Sequence, residues 1–474
     1  MNKNKLTLAM TAVTLSGLML VGCGGSSSND SGDDVAQVSR EHDEREFVLP
    51  ADLSFDALPG ATAYYGDYDG IQGPAVYTAE FPAEWNGGVI MYTHGYAGEG
   101  ETVPRTVPNA AFRATALAAG YAWAASSYSA NFYDVRAGIE DTNKLALELM
   151  DYIAADWSAE PGEITERLIS GVSMGGHIAA AAVDRENIEQ AQYRVEYSGA
   201  MPLCQAEQFQ FQWLGDYNRV AQQLAGFGSI PYEYFETLTP SIVASLFELN
   251  ESGASTWIPA NENGERLLDI ATILTGGERP IFREYGFRNP VWQGAVLGTG
   301  GRDGTINGIL AKEAYDNTDV TYRWTTGDTP TADEIAFNEA ISRVEADPDA
   351  NPLRNDGVRW LPEVKGDFSV PVLTMHTLGD FYVPFRGQQL YREGAIANGN
   401  EDMLVQRAIR APSHCDFSGD EITAALTDFL VWVETGTKPA GDDVLDAAVV
   451  ADADYGCQFT GPERPALPAC SAPE

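Results

Sequence analysis

Ser173 lies in Leu168-Ile169-Ser170-Gly171-Val172-Ser173-Met174-Gly175-Gly176, an apolar run that ends in Gly-x-Ser-x-Gly and passes at once into a small-residue helical pattern over 177–183. Strand, tight turn and helix follow in that order, with the serine at the apex. Such a turn holds its central residue in a strained backbone conformation, and glycines two positions to either side remove the side chains that would clash. The hydroxyl then stands clear at the first turn of a helix, where partial positive charge favours a developing anion. This is the setting for a nucleophilic oxygen. In a chain with 47 glycines the pentapeptide also recurs by chance, so its meaning depends on what else can reach it.

A serine hydroxyl attacks only when a base takes its proton. The chain has 5 histidines, few enough to consider singly. His42 lies in a polar N-terminal stretch. His94 follows a strand in Tyr92-Thr93-His94-Gly95-Tyr96. His177 sits on the helix after the serine, pointing away from the turn, and His376 closes an apolar strand. His414, in Ala411-Pro412-Ser413-His414-Cys415-Asp416, falls between the last strand and the last helix. The base must reach the hydroxyl from a loop above the strand ends, late in the chain, and only His414 meets both demands. A carboxylate that orients the imidazole belongs after the preceding strand, where Gly379-Asp380 offers Asp380 in a glycine-initiated turn. A buried acid there fixes the tautomer and stabilises the imidazolium formed during attack. An Asp after Gly is also an ordinary turn residue, and Asp416 and Asp367 remain open as alternatives.

These residues need a frame, and the chain alternates strands with helices. Period-2 stretches at 63–69 and 75–81 read as opening antiparallel strands. Buried strands are expected at 88–93, 121–126, 167–172, 194–199, 370–375 and 403–409, with helices at 109–119, 134–155 and 421–434. That alternation predicts an α/β fold, a mostly parallel twisted sheet with helices on both faces. The core then comprises 47–204 and 368–436, followed by a tail over 437–474. Between the two core parts, residues 205–367 are rich in aromatics and glycine, with helical patches at 241–249 and 332–346. A segment of that length cannot be a bare loop and predicts an inserted cap subdomain.

The order Ser173, Asp380, His414 on this alternation resembles the α/β-hydrolase family. The resemblance runs from Phe47 to Glu434 apart from the insertion. It is carried by the serine turn, Gly379-Asp380, Ser413-His414-Cys415, and Trp85-Asn86-Gly87-Gly88-Val89 leading to His94-Gly95. It implies an oxyanion loop after the third strand, with backbone N–H groups of Met174 and of Tyr96 or Ala97 as donors, and with His94 and Gly95 shaping the loop. It also implies hydrolysis of a carboxylic ester, small or polymeric, through an acyl-enzyme, with no cofactor and no metal. An amidase or peptidase would use the same residues, and a non-catalytic binding protein on the same fold is the rival of another class.

The Trp-Asn-Gly segment and the Cys after the histidine are also similar to secreted feruloyl esterase and tannase-like hydrolases. Those pair that Cys with one directly before the nucleophile, a position held here by Val172, so Cys204 is the implied substitute. Cys457 and Cys470 lie close together in a Pro-rich tail and are expected to pair, which leaves Cys204 with Cys415. Pairing of Cys415 with the tail is the alternative. No cysteine spacing resembles a zinc site.

The N-terminus reads as a targeting segment. Lys3 and Lys5 precede an apolar run over 6–21 that ends in Leu20-Val21-Gly22-Cys23. This is a secretory signal over 1–22, too short for a stable span. Leu-Val-Gly-Cys resembles the bacterial lipobox, which implies lipidation of Cys23. A polar tether follows to residue 46, and Gly24, rather than Asp, favours the outer membrane. The charge of −40, from 29 basic and 69 acidic residues among 474, argues against nucleic acid and against docking on anionic lipid.

Overall fold

Eight strands hydrogen-bond in the spatial order β1 (Ala61–Gly70), β2 (Gly73–Pro82), β4 (Ala122–Ser126), β3 (Gly88–Thr93), β5 (Glu166–Val172), β6 (Gly199–Leu203), β9 (Val372–Thr377) and β10 (Leu404–Ile409). β2 runs antiparallel to both neighbours, and the remaining pairs are parallel. This computed structural model describes residues 45–155, 157, 162–228, 230, 232–300, 309–461 and 464–471. The signal segment, Cys23, His42 and nearly all of the tether lie outside the described residues.

β3 is buried along its whole length, as a strand covered on both faces must be. Val89 and Met91 enter a core shared with α2 (Val135–Ile153) and α3 (Met174–Ala181), which the short α4 (Arg185–Gln190) follows. Ile90 and Tyr92 point the other way, onto Phe112 of α1 (Ala110–Ala118) and Leu426 and Phe429 of α11 (Gly419–Thr435). Helices therefore cover both faces. Local signals set their ends: Asn109 caps α1 through the Phe112 N–H, Asp134 caps α2 through the Ala137 N–H, and Ser418 with Glu421 forms a capping box on α11. The strand order with this helical cover is the α/β-hydrolase fold, as the resemblance implied.

Three expected elements shift, the first being the helical patch at 241–249, which ends at Leu246 and gives way to a short strand over Phe247–Leu249. The strand read at 194–199 forms instead at β6, because Arg194 and Glu196 face solvent while every residue of Gly199–Leu203 is buried. A central strand needs both faces apolar, and alternation alone misplaced it. The helix read at 332–346 stops as α9 (Ala332–Ala340), where Ile341 turns extended and the Asn317 side chain takes the Val344 N–H.

Between β6 and β9 the chain forms α5 (Phe209–Leu224), α6 (Tyr232–Leu246), a two-stranded sheet of β7 (Phe247–Leu249) and β8 (Ser255–Pro259), α7 (Glu262–Leu274), α8 (Pro290–Gly298) and α9. Its aromatic core joins Trp213, Tyr217, Phe282 and Phe287 to Phe381 of the loop after β9. Trp213 Nε1–H donates to Phe381 O (3.0 Å) and Arg279 Nε–H to Leu378 O (2.9 Å). The insertion thus rests on the carboxyl end of the sheet, and the described residues from 45 onward belong to one compact unit. Among the described residues no helix is long and apolar enough to cross a membrane.

Beyond α10 (Arg386–Asn398) and α11, the tail with α12 (Ala447–Val450) covers the outer edge of β10. Asp442 N–H donates to Gln406 O, its carboxylate accepts the Ala408 N–H, and Thr460 Oγ1 accepts the Arg410 N–H. An edge strand left bare would invite pairing with another chain.

Candidate active site

The chain leaves β3 for β4 on one side and later returns to β5 on the other. Open α/β sheets bind ligands at the carboxyl ends of strands flanking such a reversal. The loops there are 94–97 after β3 and the serine turn after β5.

Ser173 has φ 58° and ψ −121°, a left-handed conformation that non-glycine residues avoid. The turn is closed by backbone. Ser173 N–H donates to Leu203 O, and Thr93 Oγ1–H reaches Gly175 O (2.7 Å) and Ser170 O (3.1 Å). A Cβ on Gly171 would overlap the Thr93 side chain, and one on Gly175 the Thr93 carbonyl. Both glycines are required by close approach.

His414 comes from the loop between β10 and α11. Ser173 Oγ–H donates to its Nε2 (2.8 Å), and its Nδ1–H donates to Asp380 Oδ2 (2.5 Å). Asp380 is fully buried, and its other oxygen accepts the N–H groups of Tyr382 (3.0 Å) and Val383 (2.8 Å). A proton can move from hydroxyl to imidazole while a fixed carboxylate holds the tautomer. Neither alternative acid takes part. Asp416 faces Arg464 at 3.9 Å, and Asp367 is engaged twice by Arg185, at 2.9 and 3.0 Å.

The other described histidines are structural. His177 donates through Nε2–H to Pro362 O (2.7 Å) and accepts the Tyr133 hydroxyl at Nδ1 (2.9 Å); burial pulls its pKa to about 4. His376 lies beside the carboxylate, 4.0 Å from Asp380 Oδ2, and donates to Val383 O (3.1 Å). Burial pulls it to about 4 as well, against the Asp380 charge. A neutral His376 places no second positive charge beside the Asp380 carboxylate. Behind this turn sits buried Arg279, pulled to about 9 by desolvation against the Asp380 charge.

The His414 loop is held by distant groups. A disulfide joins Cys204 to Cys415, with Cα atoms 5.3 Å apart, and Cys415 Sγ lies 3.3 Å from His414 Nε2. Both cysteines have positive φ, 41° and 53°. Cys204 N–H donates to Met375 O, Thr377 Oγ1–H to Ser413 O (2.7 Å) and Trp292 Nε1–H to Ser413 Oγ (2.6 Å). Cys457 pairs with Cys470, Cα atoms 5.8 Å apart. Among the described residues, the group of His, Cys and acidic side chains close enough to share a metal is Cys204, His414 and Cys415, within 4.8 Å. Both sulfurs are bonded to each other, so the group offers no thiolate.

Loop 94–97 passes directly against the serine, since a Cβ on Gly95 would lie 3.3 Å from Ser173 Cβ and from Val172 O. Met174 opens α3, where first-turn N–H groups have no partner within the helix. Tyr96 and Ala97 are exposed on the same loop. His94 stacks on Tyr128 at 4.0 Å, its Nδ1 and Nε2 face the carbonyls of Gly95 (2.6 Å) and Ser127 (3.1 Å), and its own carbonyl accepts the Tyr128 hydroxyl (3.0 Å). Burial lowers its pKa against those two carbonyls. His94 therefore props the loop through its ring stack and its backbone contacts. The residue pattern did not point to Tyr128, Thr377, His376 as a neighbour of the acid, or Trp292. No periodicity or motif marks any of them, because each acts through a partner distant in sequence.

No family model matches the chain. A stretch of 89 residues, 19% of this chain, is 33% identical to o-phthalyl amidase of Xanthobacter agilis and spans 20% of that protein's length. Among solved structures, feruloyl esterase B from Aspergillus oryzae aligns over 81% of this chain and 89% of its own with TM-score 0.44 at 12% identity. An esterase from Aspergillus oryzae aligns over 81% and 88% with TM-score 0.43 at 11% identity. The esterase of Pyrobaculum calidifontis aligns over 79% and 86% with TM-score 0.36 at 14% identity. At these values the fold assignment rests on the strand order and the serine turn themselves.

Proposed function

We propose that this chain is a serine hydrolase that cleaves carboxylic esters through an acyl-enzyme. The observation that carries the reading is the unbroken series Ser173 Oγ, His414 imidazole, Asp380 carboxylate, with the serine on a strained turn at the head of a helix. Ser173 Oγ attacks the carbonyl carbon while His414 Nε2 takes its proton, and Asp380 stabilises the imidazolium. The tetrahedral oxyanion is received by the Met174 N–H and by that of Tyr96 or Ala97, each such donor lowering the barrier by about 3 kcal/mol. His414 then protonates the departing alcohol, and water repeats the sequence on the acyl-enzyme. No metal or cofactor enters these steps. The insertion over 205–367 acts as the cap and forms the walls of the acyl and alcohol pockets.

The motif resemblance set out above supports an ester substrate. The amide reading draws on the 89-residue match to o-phthalyl amidase. Hydrolysis of p-nitrophenyl esters against the matching p-nitroanilides separates the two. Ser173→Ala is expected to abolish both turnover and labelling by a fluorophosphonate probe while the fold persists. Turnover within tenfold of wild type would end the proposal. We further propose export as a lipoprotein anchored in the outer membrane through Cys23; Cys23→Ser is expected to release the protein from the membrane fraction.

A further inference from the structure

Trp292 belongs to the insertion, yet its closest polar partner is the residue before the base. Its Nε1–H donates to Ser413 Oγ at 2.6 Å, across 121 residues of sequence. Its ring stands edge-on to His414, with centroids 5.3 Å apart and planes at 86°. Tyr382, two residues past the acid, stacks on it at 5.1 Å. The indole therefore touches the loops of both His414 and Asp380. Its own helix is firmly seated: Asn289 caps α8, Tyr217 OH donates to Gln293 Oε1 (2.7 Å), and Asn218 Nδ2–H donates to Val296 O (2.9 Å). Those two bonds tie α8 to α5, and Trp213 of α5 donates to Phe381 O.

Resting on the serine-hydrolase reading, we infer that Trp292 is a positioning residue: through Ser413 it makes the insertion part of the device that aims His414 at Ser173. The disulfide to Cys204 holds one side of the loop at Cys415 and Thr377 holds the Ser413 carbonyl, but the Ser413 side chain is held from the insertion. Without the indole donor the loop keeps its other tethers and gains freedom on the side facing the insertion. Small displacements of a base are expensive in rate and leave substrate binding alone.

The experiment uses the full chain with Trp292→Phe, Ser413→Ala and the double variant. kcat and KM are measured on p-nitrophenyl acetate and butyrate, with the rate of inactivation by a small fluorophosphonate and the Tm. Loss of one hydrogen bond acting on the reaction geometry is expected to lower kcat about tenfold in each single variant. KM is expected to stay within about twofold, and the inactivation rate to fall by the same factor as kcat, because chemistry and not pocket shape is affected. The double variant is expected to be no slower than the slower single, since both remove the same bond. Tryptophan as a substrate wall would instead raise KM, differ between the two esters and spare the small probe, and that overturns the inference. So do additive losses in the double variant, or losses that follow Tm. Failure of the underlying reading looks different: the wild type would not be labelled, or Ser173→Ala would remain active.

Discussion

The serine turn and the histidine loop face each other across 2.8 Å and are built by opposite means. Ser173 is placed by its own neighbourhood: two glycines that admit the Thr93 backbone and hydroxyl, adjacent strands, and the helix that begins at the next residue. His414 is placed by residues from across the chain. Cys204 after β6, Thr377 at the end of β9, Trp292 in the insertion and Arg464 in the tail each hold one residue of its loop. A geometry written into one turn and the ends of the two strands beside it tolerates drift elsewhere. One assembled from four distant segments tolerates change in none of them, but each can be tuned separately.

The largest effect is expected where the two halves meet. Asp380→Asn should keep the fold but offer a donor where His414 needs an acceptor, favouring the wrong tautomer. In the chymotrypsin example of this change the loss is about 10⁴ in kcat, and a similar loss is expected here. Asp416→Asn should stay within a few-fold, because that carboxylate faces Arg464. Steady-state kinetics of the pair checks the assignment, and a larger loss for Asp416→Asn would break the comparison at its centre.

Next comes the disulfide. Cys204→Ser with Cys415→Ser opens a loop of 211 residues, for which chain entropy gives about 5 kcal/mol as an upper figure. The rate should fall by about a hundredfold, as for a base displaced by about 1 Å. Thermal melts and kcat on the same samples decide whether the bridge serves geometry or only stability. An unchanged kcat in a destabilised protein would mean that the remaining tethers suffice.

This contrast also explains what could be read without coordinates. The serine turn, the β3 strand over 88–93 and the capped helices were legible because their determinants are adjacent in sequence. His414 emerged by elimination among the histidines, Asp380 was favoured by its place after the preceding strand with Asp416 and Asp367 left open, and the Cys204–Cys415 bridge came by counting and resemblance. Trp292 was not legible: its partner is fixed only when α8 docks on α5, and nothing in Asn289-Pro290-Val291-Trp292 records that. The misplaced strand at 194–199 has a similar cause. Arg194 and Glu196 alternate with Val195 and Tyr197 as a half-buried strand would, but burial between β5 and β9 selects the wholly apolar run that follows.

The smallest expected effect on rate tests whether the serine turn is as self-contained as it looks. Its one tether from the segment after β6 is the Ala206 N–H, which donates to Ser173 O at 3.3 Å. The next residue, Glu207, is buried, and neither carboxyl oxygen has a hydrogen-bond partner among the described residues. Burial raises its pKa from 4.5 to about 8, with the Arg386 charge opposing, and its own charge helps to raise the buried Tyr133 and Tyr391 hydroxyls. An acid whose pKa is raised by folding stabilises the fold fully below its unfolded value, and that contribution is lost as pH rises through the folded value. Glu207→Gln, neutral at every pH, should therefore gain Tm relative to wild type between pH 5 and pH 9. The gain is bounded by about 5 kcal/mol, at about 1.4 kcal/mol per pH unit. Its kcat at pH 7 should stay within about twofold, because the turn is held mainly by Thr93, Gly171 and Gly175. Melts across that pH range, with kcat beside them, make the measurement. A kcat loss beyond tenfold would show that Ser173 too depends on a distant segment, and the two halves of the site would no longer differ in kind.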